Sequence, residues 1–426
     1  MTKLLIIADD FTGALDTGVQ FSKKNIPAFV STDLNLDNHM KCDDTEVLVL
    51  DTESRHVNPG EAYAIVNKIA RAALALGVEY IYKKTDSALR GNIGSELTAV
   101  IDAFEGARLM FIPAYPETMR TTRDGTQYVE GIPVHETVFS KDILNPVEES
   151  FIPDIIRKQS DVNVKVIHAN GRSALESIKD KKLICVFDAQ TNHDIYEIGK
   201  LLGQKNMLKL TAGCAGFARM LPELIRLKAR PKDYESQEPN MLTICGSIHE
   251  RSLKQVQSGI DRGYPALTLT PEQKLVEGYW DTNTGNGFIN QIVAGIQANS
   301  RFIIKMVDQL QDTGQTDVYA ARMNLVKKGD ISAAINKNTG ILVNKILSRT
   351  KIGLLVIFGG DTAIGIMDAI GCQGIIPGIE IEPGVVLSRI AGSGYQLQMV
   401  SKAGGFGSDD VLSKIVEYQE ERKSCY

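Results

Sequence analysis

Several marks of other protein classes are missing from this sequence of 426 residues. The six cysteines and six histidines are scattered, with no CxxC pair or Cys/His metal spacing, so we expect reduced thiols and no protein-bound metal. No apolar run approaches the ~18 residues of a membrane span, and the run Leu4–Ala8 is too short for a signal peptide. The net charge is −5 and no Lys/Arg run stands out, which argues against a nucleic acid partner. The sequence thus predicts a cytoplasmic protein without a membrane or nucleic acid partner.

What is present is a regular alternation of strand and helix patterns. Short apolar runs such as Leu4–Ala8, Val47–Leu50 and Leu183–Phe187 alternate with helical periodicity, as in Glu61–Leu76. This order predicts βαβ units and the α/β class, with mostly parallel sheets flanked by helices. Alternating residues around Glu130-Gly131, within 126–137, predict a β-hairpin inserted at the sheet edge.

The length favours two domains, because it is about three times the ~150 residues of a typical domain. The polar stretch 231–240 (PKDYESQEPN) has two prolines and no hydrophobic period, so it is the best linker candidate. A second series of strands follows: Met241–Cys245, Ala266–Leu269, Phe302–Lys305, Leu354–Phe358 and Gly394–Val400. We therefore expect domains at 1–230 and 241–426.

Polar side chains follow several of the predicted strands, where ligands bind in open α/β sheets. Asp9 and Asp10 end the first strand, and such a pair suits polyol hydroxyls or a metal, although one Asp alone could cap the helix. Arg55 follows the next strand and could hold a carboxylate, or simply pair with Glu53. Lys83, Lys84, Thr85 and Asp86 cluster at a third strand end, which suggests that an anion faces them.

Glycine turns mark the second half of the chain. Gly246-Ser247, the run Gly359–Thr362 and the pair Gly404-Gly405 each lie between a strand and a helix. Glycine lets the backbone approach a phosphate, so three such turns suggest a nucleotide site, although a single pair is as often only a turn. Neither a Walker A nor a GxGxxG sequence occurs, which argues against P-loop and dinucleotide-binding proteins.

At these residues the sequence resembles the four-carbon acid sugar kinase family. The matching segments are, in order, IADDFTGALDTG, KKTDSALRGNIGSEL, PAYPETMRTTRDGTQYVEGIPVHET, GSIHERSLKQ, FGGDTA and KAGGFGSDD. They run from residue 7 to 410, so the resemblance covers nearly the whole chain. Within the family, DTGVQ at 16–20 and KKTDSALRGN are most similar to the D-threonate kinases. Ala403 replaces a common Ser, and Asp361 stands where Glu is also found.

The resemblance implies an N-terminal sugar-acid domain, a C-terminal ATP domain and phosphorylation of a 4-hydroxyl group. The expected reaction converts D-threonate to 4-phospho-D-threonate, with D-erythronate or a 3-oxo-tetronate as alternative substrates. Mg²⁺ would accompany ATP. The implied substrate residues are Asp9, Asp10, Arg55, Lys83, Lys84, Thr85 and Asp86, with Asp10 or Asp86 as the base. The implied nucleotide residues are Ser247, Gly359, Gly360, Asp361, Thr362, Gly404 and Gly405.

Two rival functions come from other classes. An oxidoreductase acting on hydroxy acids lacks support because no glycine fingerprint follows the first strand. A non-catalytic sugar-acid sensor would have no use for the glycine turns of the second domain. The oligomeric state, including a homodimer, stays open at the level of sequence.

Overall fold

The computed structural model describes residues 2–39, 46–142, 144–168, 175, 178, 180–229, 239–309, 312–325, 327–402 and 405–424. The chain forms two compact units, Met1–Lys232 and Asp233–Tyr426. Most of the predicted linker, residues 231–238, lies outside the described residues. No helix in the described ranges is both long and apolar enough to cross a bilayer.

The first unit alternates strands with helices along most of its length. Its elements are β1 Leu4–Ala8, α1 Phe11–Ser22, β2 Ala28–Ser31, α2 Leu36–His39, β3 Val47–Asp51, α3 Pro59–Ala75, β4 Tyr80–Lys84, α4 Ile93–Ala103, β5 Arg108–Ile112, β6 Arg120–Arg123, β7 Thr126–Val129, β8 Ile132–Pro133, α5 Ile152–Arg157, β9 Asn163–Ile167, β10 Leu183–Phe187, α6 Asn192–Gln204, β11 Leu210–Gly213, α7 Ala215–Ala218 and α8 Leu221–Leu224.

The strands of this unit form a parallel sheet in the order β2-β3-β1-β4-β11-β5-β10-β9. β1 is entirely buried, and one face of the sheet packs on α3, α4 and α5. After β1 the chain continues to β2 on one side of the sheet, whereas after the neighbouring strand β4 it continues to β5 on the other side. Ligands of open α/β sheets bind at such a switch point, at the carboxyl ends of the strands.

The predicted hairpin is present, but it does not join the edge of the main sheet. β7 and β8 turn at Glu130-Gly131, and β6 adds a third strand, giving a separate antiparallel sheet. The predicted position of the hairpin, at the edge of the main sheet, was therefore wrong. β7 pairs with β6 on one side and with β8 on the other, so it has no free edge with which to join the main sheet.

The second unit also has a parallel core. Its elements are β12 Met241–Cys245, α9 Glu250–Asp261, β13 Ala266–Thr268, α10 Pro271–Leu275, α11 Asn283–Asn299, β14 Arg301–Lys305, α12 Thr313–Arg322, α13 Lys328–Leu347, β15 Leu354–Phe358, α14 Gly360–Ala369, β16 Gly374–Glu382, β17 Val385–Ala391, β18 Gln398–Lys402 and α15 Val411–Ser424. The order is β13-β14-β12-β15-β18-β17-β16, in which β17 pairs antiparallel with both β16 and β18 and the other pairs are parallel. The α/β class with mostly parallel sheets is thus confirmed.

Candidate active site

The predicted sugar-acid residues of the first unit meet at one edge of its sheet. Ala8 is in register with Asp51 on one side and with Lys84 on the other, so β1, β3 and β4 end at the same level. The turns that follow are joined by backbone bonds, including Thr52 N–H to Ala8 O at 2.9 Å and Arg55 N–H to Asp9 O at 3.1 Å. The structure therefore brings together Asp9, Asp10, Arg55 and the segment Lys83–Asp86.

Arg55 is buried among carboxylates of the chain itself. Its Nε donates to Asp9 Oδ2 at 2.7 Å and its Nη1 to Asp10 Oδ2 at 2.6 Å, while Nη2 lies 3.8 Å from Asp86 Oδ1. The ion pairs found at its guanidinium do not include Glu53, which the simpler interpretation of the sequence gave as its partner. Burial works against the charged guanidinium, but Asp10, Asp9 and Asp86 together raise the pKa of Arg55 well above its ordinary value.

Asp10 combines a structural position with partial access to solvent. In an extended conformation it caps α1, with Oδ1 accepting from Gly13 N–H at 2.9 Å. Its side chain is 21% exposed, against 1% for Asp9. Asp10 is thus the helix cap that sequence allowed, and the more accessible carboxylate of the pair.

Asp86 is saturated by arginine and backbone donors. Oδ1 accepts from Arg90 Nη2 at 2.9 Å, and Oδ2 accepts from Arg90 Nε at 3.0 Å and Ala88 N–H at 3.1 Å. Burial alone would raise the pKa of Asp86, but Arg90 and Arg55 outweigh it and hold that pKa far below the usual range. A carboxylate so stabilised in its charged form is a weak proton acceptor.

The two adjacent lysines have different surroundings because successive strand residues point to opposite faces of the sheet. Lys83 is fully buried; its ammonium donates to Ile7 O at 3.2 Å and Lys84 O at 2.7 Å, and it forms an ion pair with Glu96 Oε2 at 2.9 Å. Glu96 in turn accepts a bond from Ser54 Oγ. Lys83 therefore connects β4 with β1 and α4, and its charge is neutralised by Glu96.

Lys84 lies on the other face, beside α1. Its ammonium donates to Thr85 O at 2.8 Å and forms no ion pair with any residue that the structure describes. It sits so close to Gly13 that a Cβ there would lie 2.7 Å from Lys84 Nζ and 2.5 Å from Asp10 Oδ1. The missing side chain at Gly13 leaves room for the cation and the carboxylate together.

Several buried oxygens at this edge lack a hydrogen-bond partner within the described ranges, among them Asp9 Oδ1, Thr85 Oγ1, Asp51 Oδ2 and Glu96 Oε2, the last of which still forms an ion pair with Lys83. Unpaired polar atoms are costly to bury, so they mark places where a ligand's hydroxyl groups would be stabilising. The side chain of Asp51, at the end of β3, is a further carboxyl group at this edge. Burial, with Glu53 and Asp10 nearby, raises the pKa of Asp51 well above its ordinary value.

The glycine turns of the second unit also converge. β15 lies between β12 and β18, and Gly246 N–H and Ser247 N–H both donate to Phe358 O, at 2.9 and 3.0 Å. A Cβ on Gly246 would lie 1.9 Å from Thr362 Oγ1, so only glycine fits there. Gly359 has φ +119°, a conformation that favours glycine, and α14 begins directly after it with Gly360 and Asp361.

The third turn follows β18. Gly405 lies beside the imidazole of His249, and Arg251 Nη1 donates to Gly405 O at 3.3 Å. Gly404, predicted with it, lies outside the described residues. The N-termini of α9 and α14 thus stand close to this turn, and helix N-termini attract anions.

Sequence reasoning missed charged residues in both units. Glu96 forms an ion pair with Lys83, and Arg90 forms one with Asp86. Glu96 lies on a helix and Arg90 in a loop, and the sequence does not show that these segments pack against the end of β4. In the second unit it missed Lys402, which ends β18. The lysine preceding the glycine pair was visible, but nothing in the sequence showed it to be buried.

One group in the described structure could hold a metal ion, Asp124, His168 and Asp188. His168 Nδ1 lies 2.8 Å from Asp188 Oδ2, which also accepts from Asp124 N–H at 3.0 Å. Asp188 Oδ1 accepts from Gly125 N–H at 2.8 Å. These bonds account for both oxygens of the buried member, and none of the predicted site residues belongs to the group.

Two family models match the two units. One, described as a sugar-binding N-terminal domain, covers residues 4–221, and the other, a nucleotide-binding C-terminal domain, covers residues 242–412. A solved structure from Salmonella typhimurium LT2 shares the fold, with a TM-score of 0.80 at 19% identity over 97% of this chain and 99% of that one.

Named relatives span the whole chain. A D-threonate kinase of Salmonella typhimurium is 29% identical, covering 98% of this chain and 99% of its own. A D-erythronate kinase of Heliobacterium modesticaldum is 25% identical, covering 98% and 97%. Fold, matched domains and relatives define a two-domain kinase. The chain belongs to the four-carbon acid sugar kinase family, as the sequence resemblance implied.

Proposed function

We propose that this kinase transfers the γ-phosphoryl group of ATP to the 4-hydroxyl group of D-threonate. The observation that carries the proposal is the similarity to a D-threonate kinase over 98% of the chain. The segments DTGVQ and KKTDSALRGN support the same substrate. In this proposal the first unit binds the sugar acid and the second binds the nucleotide.

The acid's carboxylate binds Lys84 rather than Lys83. Support comes from their partners: the charge of Lys83 is neutralised by its ion pair with Glu96, whereas Lys84 is a buried cation without an ion pair in the described structure. Arg55 acts mainly by holding the carboxylates of Asp9 and Asp10 in position, and its guanidinium adds positive charge to the site. Asp9 Oδ1 accepts a hydrogen bond from one hydroxyl group of the substrate, and the Thr85 hydroxyl group exchanges a hydrogen bond with another.

Asp10 orients the 4-hydroxyl group and accepts its proton. The oxygen of that hydroxyl then bonds to the γ-phosphorus of ATP, the bond to the β–γ bridging oxygen breaks, and ADP leaves. Asp86 is the weaker candidate because Arg90 and Arg55 stabilise its charged form. Its ion pair with Arg90 indicates a structural role at the edge of the site.

The phosphates of ATP bind at Ser247, Gly359–Thr362 and Gly405, where the N-termini of α9 and α14 supply a positive potential. Mg²⁺ that arrives with ATP neutralises part of the phosphate charge. The exposed carboxylate of Asp361, in the first turn of α14, fits that ion's preference for oxygen ligands.

An ADP-release assay across five acids tests the proposal: D-threonate, D-erythronate, L-threonate and the 2- and 3-oxo-tetronates. We expect the highest kcat/KM with D-threonate and a product that ³¹P NMR identifies as the 4-phosphate. Turnover of D-erythronate or an oxo-tetronate without turnover of D-threonate would contradict the assignment of D-threonate as the substrate. Binding of an acid with no ADP release from any of them would favour a sensor.

A further inference from the structure

Arg120 begins the small antiparallel sheet β6-β7-β8, close to the substrate edge of the first unit. Its backbone pairs with Tyr115 in both directions, with Tyr115 N–H donating to Arg120 O at 2.8 Å and Arg120 N–H donating to Tyr115 O at 3.1 Å. Tyr115 follows the end of β5, where Ile112 is in register with Gly213 of β11. Gly213 is in turn in register with Lys84. The small sheet therefore starts where β4, β11 and β5 end.

The face of the small sheet that carries Arg120 packs on the loop that follows β4. Arg120 lies directly opposite Val129 in the pair β6-β7, so their side chains share a face, and Gln127, two residues before Val129, shares it as well. Val129 belongs to one apolar cluster with Ala88 of that loop, and Gln127 Nε2 donates to Ser87 O at 3.0 Å. The Arg120 side chain is therefore on the side of the small sheet that faces the site.

The guanidinium of Arg120 has few partners. Nη1 donates to Thr118 O, whereas Nε is buried and has no hydrogen-bond partner in the described parts of the chain. The guanidinium carbon lies 5.9 Å from the centre of the Phe139 ring. The carboxylate of Glu117, three residues earlier, pairs with Arg219 instead. A buried N–H group without an acceptor is unfavourable, so an anionic partner would be stabilising here.

Two other arginines at this edge already bind carboxylates of the chain. Arg55 forms ion pairs with three aspartates. Arg90 pairs with Asp86 and Asp142, at 2.9 and 3.0 Å. Arg120 differs from both because, among the residues that the structure describes, no carboxylate forms an ion pair with it.

We propose that Arg120 binds the carboxylate of the four-carbon acid together with Lys84, an inference that rests on the proposed sugar-acid role of the first unit. β4 and β5 are two strand spacings, about 10 Å, apart, so a small anion between the segments that follow them is within reach of side chains from both. A carboxylate accepts several hydrogen bonds, and a guanidinium offers it donors in a planar fork. Arg120 thereby selects acids over neutral polyols of the same length.

The competing explanation is that Arg120 only stabilises the turn at 116–118 through its bond to Thr118 O. A structural role predicts lower stability and an equal loss of affinity for charged and neutral ligands. A contact with the carboxylate predicts a loss that is confined to the charged ligand. The two roles therefore differ in a quantity that can be measured.

The experiment is an NMR titration of the full chain with D-threonate and with its uncharged amide, D-threonamide, since this method detects weak binding. Arg120→Met should weaken D-threonate binding by about 10–100-fold, as expected for the loss of a charge-assisted hydrogen bond, and should leave the affinity for the amide nearly unchanged. Arg123→Met is the matched control. Arg123 is exposed on the opposite face of β6 and donates to Tyr128 OH at 3.2 Å, so neither affinity should change.

Thermal unfolding and ADP binding show whether each variant is folded. If Arg120→Met does not fold, Arg120→Gln, which keeps a donor for Thr118 O, decides by the same criteria. If the variant keeps its affinity for D-threonate, or loses the acid and the amide to the same extent, the inference is wrong.

The outcome for the unaltered chain separates this inference from the proposed function. If it binds another acid of the panel in place of D-threonate, the same comparison applies to that acid and its amide. If it binds none of the five acids, the proposed function fails and the inference fails with it. If it binds an acid with an affinity that does not depend on Arg120, only the inference fails.

Discussion

Arg55→Met is the substitution whose consequences the structure defines most sharply. Methionine keeps much of the aliphatic length of arginine and removes the guanidinium, which holds two carboxylates at 2.7 and 2.6 Å. The Arg55 side chain is 8% exposed and that of Asp9 is 1% exposed. The variant therefore leaves a buried charge without its main partner, in addition to removing a cation from the site.

Removing one partner of a buried ion pair costs roughly 3–5 kcal/mol, more than the ~1.5–3 kcal/mol of a single charge-assisted contact to substrate. For a domain of about this size each kcal/mol shifts Tm by roughly 2–4 °C, so we expect the first unit to melt about 6–20 °C lower. The loss should therefore be visible without any ligand.

The pH dependence follows from Asp9, whose folded-state pKa lies below its ordinary value of 3.8 because Arg55 and the lysines outweigh burial. The stabilisation is thus present above about pH 3.8 and is lost as the pH falls through the lower, folded-state pKa. The gap in Tm between the unaltered chain and Arg55→Met should be complete at neutral pH and should narrow below pH 3.8.

Thermal unfolding with and without D-threonate is the assay, and Arg71→Met is the matched control. Arg71 is exposed on α3 and donates to Asn67 Oδ1 at 2.8 Å, so its loss should change stability by less than about 0.5 kcal/mol. If Arg55→Met keeps its Tm within the range of the control while acid binding disappears, the positioning role is refuted and Arg55 binds substrate directly.

Three further predictions concern single groups of the two sites. Lys84→Met should weaken acid binding by about 10–100-fold with little loss of stability, whereas Lys83→Met should lower Tm; calorimetry and melting curves that show the reverse would exchange their roles. Asp10→Asn should reduce kcat by roughly 10²–10⁴-fold while ADP affinity stays unchanged in calorimetry, and full turnover would remove Asp10 as the base. Gly246→Ala should weaken ADP binding by about tenfold or more because its Cβ has no room, whereas Gly287→Ala, with no atom within 4 Å of the added Cβ, should be neutral; equal ADP affinities would argue against a phosphate turn at Gly246.

The positions of many strands could be predicted from the sequence because buried parallel strands are continuous apolar runs. β1, β10 and β15 have the predicted bounds. α1 begins at Phe11 because Asp10 caps it, and the glycine at position 13 does not interrupt it. β2 and β11 were missed because four residues are too few to display a period.

The second unit was harder to read beyond its parallel core. The antiparallel strands β16 and β17 were not predicted, and β18 begins at Gln398 instead of Gly394. β16 contains a proline and two register irregularities, which obscure strand alternation in the sequence.

The candidate site was predictable as a set of strand ends but not as a set of roles. That Lys83 and Lys84 face opposite sides follows from the period of two and could have been inferred. That Glu96 neutralises Lys83 could not, because it depends on how α4 packs over β4. Likewise, only the folded structure shows that Arg55 forms ion pairs with three aspartates, Asp9, Asp10 and Asp86.

The enclosure of Lys83 has a spectroscopic consequence. Its ammonium is fully buried, with hydrogen bonds to Ile7 O and Lys84 O and an ion pair with Glu96, so exchange of its protons with water requires a local opening of the sheet edge. In a ¹⁵N-labelled sample the ¹H–¹⁵N signal of this ammonium should persist at neutral pH, where solvent-exposed lysines exchange too fast to be seen. Such a resonance would report from within the protein on how often the ends of β1 and β4 separate from α4.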